Sequence, residues 1–134
     1  MRTLSRLTLW LAGLGFLGFG IACLIAPVAT LAAAGMEVAG AVAATELRAF
    51  YGGLEIGLGL FIVATALSEQ RHRAGLWLCL AAYGGIGLAR ALGMALDGIS
   101  TTFLCSALAV ELALALLAAL CLWRSPRAHR ARSD

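Results

Sequence analysis

Residues 45–59 read TELRAFYGGLEIGLG and residues 87–98 read GLARALGMALDG. These stretches hold Glu46, Arg48, Tyr51, Glu55, Arg90 and Asp97, and one more acid, Glu111, stands alone in SALAVELALAL. Carboxylates and guanidinium groups in such apolar surroundings can pair with each other, hold a polar ligand or carry a proton. At 100° per residue, Arg48, Tyr51, Gly52, Glu55 and Gly59 share one helical face, and Tyr83, Gly87, Arg90, Met94 and Asp97 share another. Each ion near the middle of a membrane helix costs roughly 2.5–3.5 kcal/mol on insertion scales, so such residues face an interior, a partner or a watery cavity. A guanidinium hardly deprotonates. Arg90 therefore needs a carboxylate, and Glu55 is the first choice. Whichever of Glu55 and Glu111 it leaves over is a candidate proton carrier.

The elements that position these groups follow from composition. Of 134 residues, 62% are hydrophobic and 13% charged, against about 45–50% and 25% in ordinary globular domains. Four apolar runs, 7–25, 47–67, 74–95 and 101–123, are each long enough for the roughly 20 residues that cross a bilayer. They lack the alternation of barrel strands, and backbone in lipid must bond within its own segment. The expected fold is all-α: one integral membrane four-helix bundle over residues 1–134, with a basic tail at 124–134. At a rise of 1.5 Å, Glu55 lies about 13 Å deeper than Glu46 and Glu111 about 15 Å into its helix. Depth thus lets Glu55, Arg90 and Glu111 meet, with Glu46, Arg48 and Asp97 as a shallower tier above them.

Charge sets the expected orientation. All ten basic residues besides histidine are arginines. Arg2 and Arg6 precede the first run, Arg71 and Arg73 separate the second from the third, and Arg124, Arg127, Arg130 and Arg132 fill the tail; the connections 26–45 and 96–100 have none. The positive-inside rule then puts both termini in the cytoplasm, and Trp10, Trp77 and Trp123 fall at the inner interface. The tail reads as a positive-inside flank that can touch anionic lipid, with no nucleic-acid partner expected. A cleaved signal peptide ending near Ala32–Ala34 is the rival for the first run, but an apolar stretch of 19 residues exceeds the usual 7–15 or so. The expected location is the cell inner membrane, with the lipid bilayer as the first partner.

Cys23, Cys79, Cys105 and Cys121 show no metal spacing and read as small hydrophobes; Cys23 and Cys105 both lie near outer ends, where a disulfide is an alternative. His72 and His129 have no ligand partners at useful spacing. No phosphate loop, metal set or nucleophile–base pair is visible, and no cofactor is expected. Gly53-x-x-x-Gly57 and Gly85-x-x-x-Ala89-x-x-x-Gly93, with Gly52 beside them, form small-residue seams that let helices approach closely. Packing inside the bundle is the first reading and homo-oligomerisation the second. Asp97-Gly98 favours a tight turn between the last two helices. Residues 28–44 read either as a short helix on the outer face or as a re-entrant piece. Tyr51-Gly52-Gly53 recurs as Tyr83-Gly84-Gly85, an echo too short to establish a repeat.

Taken together, TELRAFYGG and GLARALGMALDG resemble a family of small bacterial four-helix membrane proteins of unknown function. The pattern is (E/N)-(I/L)-R-x-x-Y-G-G in the second helix, here Glu46, Arg48, Tyr51, Gly52 and Gly53. It continues as G-x-x-R-x-x-G…D-G in the third, here Gly87, Arg90, Gly93, Asp97 and Gly98. Glu111 lies outside it. The resemblance implies a four-helix membrane bundle, loosely similar to DoxX-type proteins, and no activity.

Three function classes remain. The buried charges line a pocket that binds or transports a small molecule or handles protons, or they only hold the helices together in an accessory subunit of a larger membrane complex. The weakest reading, by analogy with DoxX-type proteins, is a redox-linked or quinone-associated protein. An enzyme finds no support in these residues.

Overall fold

The computed structural model describes residues 2–124; the tail residues Arg127, His129, Arg130 and Arg132 lie outside them. Among the described residues all regular structure is helical. The elements are α1 (Arg2–Ile25), α2 (Pro27–Ala33), α3 (Ala41–Leu47), a π-helical segment (Arg48–Leu54), α4 (Glu55–Ala66), α5 (His72–Asp97) and α6 (Thr102–Arg124). Residues 41–66 run on as one rod through the π-helical segment. Together with 3–25, 72–97 and 102–124 it makes four helices long and apolar enough to cross a membrane. The second rod thus starts six residues earlier than the apolar run 47–67, because Glu46, which bounds that run by its charge, is a good helix former and Ala41–Thr45 before it are apolar or tolerable in a helix.

Pro27 ends α1. It has no N–H to continue the helical ladder, and two side chains beyond the break reach back to carbonyls in the last turn of α1. The Thr30 hydroxyl donates to the Ala22 carbonyl at 3.1 Å, and Arg48 Nε donates to the Leu24 carbonyl at 3.3 Å. Residues 28–44 resolve into a short helix, a non-helical stretch and the start of the second rod. At the other end of α5, Gly98 adopts a left-handed conformation (φ 62°) and closes the helix onto the Met94 carbonyl. Only glycine does this at no steric cost, so Asp97-Gly98 turns the chain sharply into α6.

The bundle is two antiparallel pairs. α1 packs on the π-helical segment and α4, and α5 packs on α6. The first pair is a glycine seam. A Cβ added at Gly59 would stand 2.8 Å from the Gly13 carbonyl oxygen, and one at Gly52 would stand 3.1 Å from Leu24 Cα. Contacts this close leave no room for any side chain. The pairs meet on a core that includes Leu9, Ala12, Phe16, Ile62, Cys79 and Ala118. Tyr83 of α5 locks them: its ring lies 4.6 Å from that of Phe16 and its hydroxyl donates to the Ala12 carbonyl at 2.8 Å.

The seams expected from sequence spacing are not the ones the bundle uses. A Cβ at Gly57, Gly85 or Gly93 would meet nothing within 4 Å, and one at Gly53 only its own helix's Arg48 carbonyl at 3.8 Å. Ala89 is exposed. Of the residues assigned to those seams, Gly52 alone packs tightly. The physical reason is phase: Gly52, Gly59, Ile62 and Ala66 share the face that meets α1, and Gly53 and Gly57 point away from it. All four cysteines are free; Cys23, Cys79 and Cys121 are buried and Cys105 is exposed.

Candidate functional site

Arg90 and Glu111 face each other across the α5–α6 pair. Arg90 Nη2 lies 2.6 Å from Glu111 Oε1, and Nε lies 2.9 Å from Oε2 and 3.1 Å from Oε1. This is a two-pronged guanidinium–carboxylate pair, the strongest geometry open to these groups. The Glu111 side chain is 10% exposed and that of Arg90 23%. Gly87, one turn before Arg90, lets the backbones close on the pair, since a Cβ there would already touch Glu111 Cβ at 3.4 Å. The tight Asp97-Gly98 turn sets the register: in an antiparallel hairpin centred near residue 100, position 90 falls opposite position 111.

Glu55 is therefore not the partner of Arg90. Both oxygens of Glu111 hold the Arg90 guanidinium, and Glu55 makes no hydrogen bond or ion pair with it. Helical rise gives depth well and azimuth poorly when the rod contains a π-helical stretch, which turns fewer degrees per residue than an α-helix. The expected single network is in fact several separate arrangements. Arg90 and Glu111 close on each other. Arg48 caps α1, while Glu46 is exposed on α3 and Asp97 is exposed at the last residue of α5. Tyr51 meets Phe19 edge-on, with ring centres 6.2 Å apart.

Glu55 opens the first turn of α4, half-buried, and has no hydrogen bond and no ion pair among the described residues. It lies in an open-sided cleft of about 440 Å³. Buried Phe16 lies at the base, and Phe50, Tyr51 and Leu54 of the π-helical segment line the cleft together with Leu58 of α4 and Ile86 of α5. Glu46 and Leu47 complete the lining at the α3 end. The cleft exists because the π-helical segment packs against α1, α2, α3 and α4 and leaves α5. Close contacts at Gly20 and Gly52 seat the segment on α1.

Sequence reasoning found Glu55, Tyr51 and Glu46 but missed the apolar residues around them, and it found both members of the ion pair without pairing them. The turn-centred register of the last two helices was the available signal for Arg90–Glu111. No sequence signal marks the π-helical segment. Among the described residues no three His, Cys, Asp or Glu side chains gather in a way that could hold a metal ion.

Comparison with known proteins agrees with this frame and adds no chemistry. No curated protein and no solved structure matches the chain. The model of the domain of unknown function DUF4345 matches residues 4–122, nearly everything from the first turns of α1 to the end of α6. The chain belongs to the DUF4345 family.

Proposed function

We propose that this is a multi-pass inner-membrane protein that binds or transports a small amphipathic molecule in the cleft beside Glu55. The carrying observation is the contrast between two acids. Glu111 is fully engaged by Arg90, whereas Glu55 stands in a largely apolar cleft with no hydrogen-bond or ion-pair partner among the described residues. Ligand sites of roughly 300–1,000 Å³ that are mostly apolar, with a few polar groups, are the usual form of small-molecule pockets, and bundles build them between helices.

Several features support the membrane location. The four rods carry exposed large apolar residues all round, among them Leu14, Phe61, Leu88, Leu92 and Leu116, which is the pattern of helices surrounded by lipid. Arginines cluster at one end of the bundle, so that end faces the cytoplasm and the cleft opens in the outer half.

The test is native mass spectrometry of the full chain released from its own membranes in mild detergent. The expected result is a reproducible small-molecule adduct that is lost when Leu54→Trp fills the cleft and kept in Gly57→Ala. A chain that carries no adduct, or keeps it in Leu54→Trp, removes the reading. A second reading, an accessory subunit of a larger complex, is favoured by the open faces at Gly53, Gly57, Gly85 and Gly93. It is supported if a second protein co-purifies and Gly57→Leu releases it.

A further inference from the structure

We propose that the ligand of the cleft is a lipophilic cation: an ammonium group on a hydrocarbon body, with the charge seated on Glu55. This deepens the small-molecule reading above and rests on it. The argument is a charge balance of the cleft and its neighbours. The lining holds two carboxyl side chains, Glu46 and Glu55, and no lysine, arginine or histidine. Of the two arginines in the same half of the bundle, Arg90 has a counter-ion while exposed Arg48 is turned to the end of α1. Arg48 Nε donates to the Leu24 carbonyl, and Arg90 is gripped by both oxygens of Glu111. The cleft is therefore complementary to positive charge.

An acid withdrawn from water needs a counter-charge or hydrogen-bond donors, and an ammonium supplies both, with up to three N–H groups. The rest of the lining suits the remainder of such a molecule. Phe50 and Tyr51, both exposed, offer aromatic faces to a cation. Leu47, Leu54, Leu58 and Ile86 offer apolar contact to its hydrocarbon part. A fatty carboxylate of the same length would bring like charge against Glu55, and a fatty alcohol would leave the acid without a counter-ion.

The experiment compares three probes of one chain length, decylammonium, decanol and decanoate, each competing for the full chain in neutral-detergent micelles, read by native mass spectrometry. Decylammonium is expected at one per chain, retained about tenfold better than either competitor. Glu55→Gln is expected to bring the three within about twofold of one another, Glu55→Asp to restore the preference, and Glu37→Gln, outside the lining, to leave it unchanged. Equal retention of decanol and decylammonium by the unaltered chain overturns the cation assignment and leaves the cleft reading standing. A preference for decanoate overturns it as well. Retention of none of the three overturns both. The selectivity of the unaltered chain decides the matter even if a variant fails to fold.

Discussion

Arg90 and Glu111 show how one residue's role depends on what faces it. Removing one member of a buried pair leaves a charge with no partner, which typically costs about 3–5 kcal/mol, and replacing both with apolar side chains costs far less. Arg90→Ala is accordingly expected to destabilise the bundle by about 3 kcal/mol, and Arg90→Met with Glu111→Met to recover most of that loss. Denaturant titration in mixed micelles measures both; a double variant no better than the single one would overturn the pairing argument. Glu55→Gln has no partner among the described residues to lose and is expected to shift stability by no more than about 0.5 kcal/mol. Tyr83→Phe should cost about 1 kcal/mol through the lost hydrogen bond to the Ala12 carbonyl, with the ring contact to Phe16 kept. The same titration reads it, and an unchanged midpoint argues that this bond contributes nothing.

At the scale of elements, close contact decides which glycines matter. Gly59 and Gly57 are two residues apart, yet only the first touches α1. Gly59→Ala is expected to destabilise by about 1–3 kcal/mol through overpacking, and Gly57→Ala to stabilise by up to about 1 kcal/mol through helix propensity. Paired melting curves in one detergent check the contrast, and equal losses at both sites would show that the seam is misplaced. The four rods and the turn at Gly98 were legible in the sequence because length, apolarity and a left-handed glycine are local properties. The partner of Arg90 and the working glycines were not, because both depend on helix phase across a contact. The π-helical segment was hidden for the same reason: Arg48 reaches for the end of α1 while Gly52 sits on Leu24, and no local propensity encodes that pair of constraints. Of the candidate site, the acids could be seen by their cost in lipid, whereas the apolar residues around Glu55 looked like any other membrane-helix residues.

For the molecule as a whole, topology is the property most open to test. Cys105 is exposed at the start of α6, beside the α5–α6 turn, and the other three cysteines are buried. On the proposed orientation, with both termini in the cytoplasm, a membrane-impermeant maleimide is expected to label Cys105 in intact cells from the periplasmic side, and Cys105→Ser to abolish labelling. Labelling only after the inner membrane is opened from the cytoplasmic face reverses the orientation, and with it the side on which the cleft opens.

The α5–α6 pairing also bears on how such a chain is made. Arg90 leaves the ribosome 21 residues before Glu111. At typical synthesis rates of about 5–20 residues per second, the guanidinium waits roughly 1–4 s for its carboxylate. During that interval α5 holds an unanswered cation and is a poor candidate for release into lipid. On the membrane reading the last two helices then partition as one hairpin, triggered by the arrival of Glu111. A translational-arrest force sensor placed along α6 should record a pulling event as Glu111 reaches the membrane. Glu111→Gln should weaken or delay that event, and a profile unaltered by the substitution would show that the hairpin inserts without waiting for its acid.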